Sequence, residues 1–194
     1  MKHLVAVGAN AFASTSGTAR QVAHALRDLP GRVVAVSRLW RNPAWPPGSG
    51  PDFVNAVALV HAPMPPEAML VRLHRLEARR GRVRRVRWGA RVLDLDLIGA
   101  EGLVRPDPRT VRRWMDLEPA RQAQEAPEEF ILPHPRLQDR SFVLIPAAEV
   151  VPKWRHPVTG RSVASMAASL PAAKRSEMRV IGPVDGVVSR RPRA

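Results

Sequence analysis

Hydrophobic positions along the chain change period several times, and each change marks an element. The run "HLVAVGAN" is apolar, short and ends at Gly8, the pattern of a buried strand with Asn10 just beyond it. In "GTARQVAHALRDLPG", Ala19, Val22, Ala23 and Leu26 recur at helical spacing, with Ser16 or Thr18 placed to cap the helix and Pro30 and Gly31 to stop it. "RVVAVSRLWRN" and "PDFVNAVALV" alternate as strands do. The "PAWPPGSG" between them is too long for a tight hairpin and too rich in Pro and Gly to be regular, so it predicts a surface loop. "PPEAMLVRLHRLEARRG" opens on prolines, carries Met69, Leu70, Leu73 and Leu76 on one stripe and ends at Gly81, which predicts a second helix. "RVLDLDLI" is the next strand. Residues 100–130 read as an insertion with a short helix near residues 110–117, after which "ILPHPRLQDRSFVLIPAAEVVP" resumes order and "SVASMAASL" predicts a last small helix. The order strand, helix, strand, strand, helix, strand predicts an α+β, ferredoxin-like sandwich: a mostly antiparallel sheet with helices packed on one face, and long functional loops.

Composition narrows this picture in three places. At 194 residues the chain supports one core, so residues 1–172 are expected to be a single domain and 173–194 a basic tail without fixed structure. Twenty prolines are about twice the usual ~5% and account for the loops. The absence of cysteine removes disulfides and thiolate metal sites and fits a reducing compartment. The opening "MKHLVAVGANAFAS" imitates a secretory signal, but its strongly apolar stretch, residues 4–7, is shorter than the roughly 7 to 15 residues an h-region needs. It reads as a first strand, and no run approaches the ~18 apolar residues of a membrane span.

The net charge of +14 raises a nucleic-acid reading, so its location matters more than its size. Seven arginines and no acid lie between residues 79 and 91, and most of the remaining excess is in the tail. Immediately after the arginines come Asp94 and Asp96. On a strand they share one face while Leu93, Leu95 and Leu97 share the other. Two carboxylates about 6.6 Å apart, at ~3.3 Å rise per residue, repel by roughly 2.5 kcal/mol at an effective dielectric near 20. Two readings fit that pair. It is a solvated strand face whose acids meet a neighbouring Lys or Arg, or it is a seat for Mg²⁺, which accepts carboxylates when phosphate oxygens and water fill its other positions. The flanking arginines suit phosphate oxygens, and Gly81 and Gly89 let the loop between them move.

Singly, His134, Arg140, Phe53, Asn55 and Phe142 are unremarkable. Together, "RWGARVLDLDLI" and "LPHPRLQDRSFVLIPAAEVVP", preceded by "RNPAW", "PDFVNAV" and "LEARRGRVR", closely resemble the 6-hydroxymethyl-7,8-dihydropterin pyrophosphokinases of folate synthesis. The resemblance covers most of residues 1–170, skipping roughly 100–130 and the tail. It implies transfer of a diphosphoryl group from ATP to the hydroxymethyl oxygen of the dihydropterin, with release of AMP. It implies Asp94 and Asp96 as ligands of two Mg²⁺ ions, and Arg82 and Arg91 as catalytic arginines on the phosphates. Arg84 and Trp88 would bind ATP from a mobile loop, shared with Arg82 and Arg91, that closes on the nucleotide, and His74, Glu77, Arg91, His134 and Arg140 would line the ATP site. Asn55 would read the pterin edge, Phe53 and Phe142 would sandwich its ring, and Asn42 and Pro43 would reach its rim. The family roles leave the general base open between Asp96 and a metal-bound hydroxyl.

The chain departs from the family pattern at several points. "VGAN" replaces the usual G-S-N, Ala90 stands where proline is common, and His74 stands where glutamine is familiar. The insertion displaces a segment that in some members holds another nucleotide-binding arginine; either Arg105, Arg109 or Arg112 substitutes for it, or nothing does. The expected partners are ATP and the hydroxymethyl dihydropterin, with no nucleic acid and no membrane, in a cytoplasmic monomer. Two other readings remain open: a basic RNA-binding module, and a catalytically weak relative that binds pterin only.

Overall fold

A computed structural model of the chain describes residues 1–12, 14–44, 48, 50–81, 91–118, 121, 124–184, 186 and 187. Six strands form one sheet: β1 (Lys2–Ala9), β2 (Arg32–Val36), β3 (Leu39–Asn42), β4 (Phe53–His61), β5 (Asp94–Ala100) and β6 (Arg179–Gly182). Its order is β5-β1-β4-β3-β6, with β2 paired to β4 alongside β3, and each pairing is antiparallel. The expected strand over residues 32–42 is two strands. Buried Ser37 interrupts it: its Oγ accepts the Val57 N–H at 3.0 Å and donates to the Arg38 carbonyl, a local substitute for the ladder.

Helix α1 (Thr15–Arg27) buries Val22, Ala25 and Leu26, and α2 (Pro66–Arg79) buries Met69, Leu73 and Leu76, both against the same sheet face. The α1 cap is Ser14, whose side chain accepts the Gly17 N–H at 3.1 Å, so the helix begins earlier than a cap at Ser16 or Thr18 would place it. The insertion contains α3 (Pro108–Met115), started by Asp107 accepting the Arg109 and Thr110 N–H groups. A 3₁₀ turn (Leu137–Asp139) leads into α4 (Ser141–Val150), and α5 (Val163–Ala168) and α6 (Ala172–Ser176) follow.

The α+β, ferredoxin-like, antiparallel expectation is met. To α1 and α2 on one face the C-terminal half adds a second layer on the other, because alternate residues of the central strands feed two cores. Val5, Val7, Val54, Ala56, Leu95 and Leu97 join α1 and α2; Leu4, Val57 and Ile98 join Leu144, Ala147, Val163 and Met166 of α4 and α5. The expectation of a structureless tail from residue 173 is corrected over its first half. β6 pairs with β3, and Val187 packs into the α1–α2 core. Apolar residues there bury area that the surplus of arginines conceals in any compositional reading. Among the described residues no helix is long and apolar enough to cross a membrane.

Candidate active site

One transverse row of the sheet organises the site. Gly8 of β1 lies between Asp94 of β5 and Asn55 of β4, and Asn55 faces Trp40 of β3. The neighbours Val7, Ala9, Val54, Ala56 and Leu95 all point into the α1–α2 core, so the row itself faces α4. Adjacent strands are ~4.8 Å apart, which sets the backbones at Asp94 and Asn55 roughly 10 Å apart across a bare glycine.

On the β5 side, Asp94 is 18% and Asp96 32% exposed, half-buried as leucine anchors on the opposite face require. Arg91 is ion-paired to Asp94, and Arg140 Nη1 is 3.3 Å from Asp96. Among the described residues β5 pairs with β1 alone, so every second N–H faces away from that partner. Leu95 N–H is satisfied from α2 instead, by Oε1 of Glu77 at 2.7 Å. Glu77 is 2% exposed, so its carboxylate holds the aspartate strand from below, while His74, one turn earlier on α2, lies exposed.

On the α4 side, the His134 N–H donates to the Ile98 carbonyl at 3.2 Å, fastening this loop to β5, and Arg140 caps α4 with its guanidinium 5.6 Å from the Phe142 ring. Nδ1 of His134 accepts the Arg136 N–H at 3.0 Å. Burial first, and then the Arg140 guanidinium, push the His134 pKa down to about 3, although Asp94 pulls the other way. The ring is therefore neutral near pH 7 with its proton on Nε2. That atom lies 3.5 Å from Arg140 Nη1, and two donors so close offer themselves to a common acceptor such as a phosphate oxygen.

Across the glycine, Asn55 is 6% exposed and its Nδ2 donates to Asn42 Oδ1 at 2.6 Å. Asn42 in turn donates to the Pro43 carbonyl at 2.8 Å, and Phe53 pairs with Asn42 across the β3–β4 ladder. Phe53, two residues before Asn55, shares its face, and Phe142 borders that face from α4.

The structure thus gathers Arg91, Asp94, Asp96, His134, Arg140 and Phe142 at one end of the row and Asn42, Pro43, Phe53 and Asn55 at the other. Arg82, Arg84 and Trp88 lie outside the described residues. Two of the substitute arginines are engaged elsewhere, Arg105 with Glu67 and Arg112 with the Val158 carbonyl.

Sequence reasoning gave no role to Asn10, which joins two loops. Its Oδ1 accepts the Arg91 N–H at 2.7 Å, its N–H donates to the Arg91 carbonyl at 2.9 Å, and its Nδ2 donates to the Pro51 carbonyl at 3.1 Å. An asparagine just past a strand has no periodic signature, so only the fold reveals these partners.

The donor set also selects among cations. Among the described residues no group of three or more His, Cys, Asp or Glu side chains could hold a metal ion, so a protein-enclosed transition-metal site does not fit. Two strand carboxylates do fit a hard cation that takes its other oxygens from ligand and water.

Residues 4–152 match the family model of 7,8-dihydro-6-hydroxymethylpterin-pyrophosphokinase (HPPK). The chain belongs to the HPPK family. It is 34% identical over 147 residues to the 2-amino-4-hydroxy-6-hydroxymethyldihydropteridine pyrophosphokinase of Methylorubrum extorquens, covering 75% of this chain and 80% of that one. The Pseudomonas aeruginosa enzyme of the same name is 34% identical over 168 residues, covering 86% and 90%. The Mycobacterium tuberculosis one is 32% identical over 182 residues, covering 89% and 86%. In fold, the chain is similar to a crystallised HPPK-DHPS in complex with substrates, at a TM-score of 0.60 and 12% identity over 87% of this chain. A Plasmodium falciparum HPPK-DHPS gives 0.62 at 10% identity over 92%. This HPPK-family chain spans 43% and 47% of the length of those two chains.

Proposed function

We propose that the chain transfers a diphosphoryl group from ATP to the hydroxymethyl oxygen of 6-hydroxymethyl-7,8-dihydropterin and releases AMP, as a step in folate synthesis. What supports this most, beyond family membership, is the single row Asp94, Gly8, Asn55: carboxylates and arginines suited to a polyphosphate at one end, a buried amide on the same face as Phe53 at the other, with Phe142 bordering that face from α4.

Asn55 keeps Oδ1 and one Nδ2 hydrogen for the pterin edge, since the other hydrogen is bound to Asn42. Phe53 and Phe142 offer faces to the flat heterocycle. Asp94 and Asp96 would hold Mg²⁺, two ions in our reading, which supplies charge neutralisation along the triphosphate. Arg91 and Arg140 present planar forks to phosphate oxygens, and His134 donates Nε2–H without adding charge. Arg82, Arg84 and Trp88 complete the phosphate side in this reading, with the exposed His74 offered from α2, while Glu77 acts through β5, which its carboxylate holds at Leu95 N–H. Positioning and charge stabilisation dominate phosphoryl transfer, and these side chains supply both. We read the enzyme as a cytoplasmic monomer.

Incubating the chain with ATP, Mg²⁺ and the hydroxymethyl dihydropterin should yield AMP and pterin diphosphate in equal amounts, resolved by chromatography. AMP without pterin diphosphate, or no turnover by a folded chain, overturns the proposal.

A further inference from the structure

We propose that Gly8 is a positioning residue for the transfer: its missing side chain leaves the space in which the Asn55 amide is held beside the aspartates. This rests on the reading of Asn55 as the pterin-binding amide. A Cβ at Gly8 would lie 2.7 Å from Asn55 Oδ1 and 3.8 Å from its Cγ, with the Val54 carbonyl next at 4.0 Å. Backbone conformation does not explain the glycine. Among the described residues the positive-φ glycines are Gly31, Gly48, Gly81, Gly160 and Gly186, whereas Gly8 is ordinary strand in register with both neighbours.

A glycine inside a central strand forfeits side-chain packing and signals close approach by something else. Here the close approach is made by the Asn55 side chain, which cannot swing away without breaking its 2.6 Å bond to Asn42. The same gap leaves bare backbone between Asn55 and Asp94, where a ligand arm reaching from one end of the row to the other meets no side chain.

The test compares the full chain with Gly8→Ala, Asn55→Ala and the double variant. Gly99→Ala serves as a control for strain, because its Cβ would meet the Trp154 ring at 3.0 Å, away from the row. Pterin affinity is read by fluorescence titration, nucleotide affinity with a nonhydrolysable ATP analogue and Mg²⁺, and folding by melting temperature. Gly8→Ala should weaken pterin binding about tenfold or more, the size of one lost hydrogen bond, and leave analogue affinity within about twofold. In the Asn55→Ala background the same change should add less than about twofold, because the colliding atoms are gone. If Gly8→Ala alone fails to fold while the double variant folds, the clash is equally supported.

Unchanged pterin affinity in Gly8→Ala, an equal loss in the Asn55→Ala background, or misfolding of both variants overturns the proposal. Should Asn55→Ala bind pterin normally while Gly8→Ala does not, the Asn55 assignment falls and Gly8 does not act through it.

Discussion

Asp94 and Asp96 each carry an arginine partner, which offsets the repulsion of roughly 2.5 kcal/mol between two carboxylates so spaced. Partly exposed pairs of this kind contribute only about 0–1 kcal/mol, so Asp94→Ala and Asp96→Ala should unfold within about that margin of the parent chain. AMP formation should nevertheless fall by about 10³-fold or more, since the loss of metal-held phosphate costs several kcal/mol of barrier at ~1.4 kcal/mol per tenfold. Near-normal turnover by either variant would remove the metal assignment.

His134 makes a second prediction, on pH. Its folded pKa, about 3, lies below the unfolded value of 6.5, so its contribution to stability is full above 6.5 and is lost as pH falls through that window. Urea midpoints measured from pH 7 to pH 4 should decline, and less steeply in His134→Asn, which keeps an acceptor for the Arg136 N–H but does not titrate. The buried His156, with a pKa pushed down to about 4 by burial and Arg112, and His3, lowered by burial, add to the same decline and should remain after His134→Asn.

At the scale of elements, the aspartates are only as well placed as β5. Among the described residues that strand has one ladder partner, and its outer edge is held by the buried Glu77 carboxylate on Leu95 N–H. Glu77→Leu should therefore cost about 1–3 kcal/mol, the penalty for a buried N–H left without its acceptor, and Glu77→Gln, which keeps an oxygen there, should recover most of it. Equal destabilisation by the two variants in urea would show that the carboxylate charge, not the acceptor, is what matters.

The sequence pattern announced β5 and α2 as elements, because leucines at period 2 and an apolar stripe at period 3.6 are local signals. The family resemblance, not the pattern, assigned Glu77 to the nucleotide side. A carboxylate on the inward stripe of α2, beside Leu73 and Leu76, was the available clue that it faces the core. The break at Ser37 was not legible, since it arises from the Val57 N–H on another strand.

For the whole molecule, the decisive feature is a sheet covered on both faces, with the site on the α4 side. The C-terminal segment contributes to stability rather than hanging free: β6 closes the β3 edge, and Met178 and Val187 are buried, Val187 at 8% exposure. Ending the chain after Glu177 removes both side chains, each worth about 1.5–3 kcal/mol when buried, and bares the β3 edge. The melting temperature should drop by about 6–24 °C at ~2–4 °C per kcal/mol, with turnover at low temperature largely kept. No change in melting temperature would return the segment to the role of a dispensable tail.

The amino-acid order alone determined the elements and the local chemistry: strand and helix periods, the acids alternating with leucines in residues 93–97, the arginines upstream, and the motifs that carry the family resemblance. These are signals between residues close in the chain, where geometry follows from φ, ψ and side-chain period. Only the tertiary structure decided which neighbours those residues meet. Gly8 beside Asn55, Asn10 on Arg91 and Pro51, Arg140 on Asp96 and Glu77 on Leu95 are contacts between distant segments, set by sheet register and by which side chains the two cores admit. Packing chooses those partners, and no periodicity along the chain encodes them.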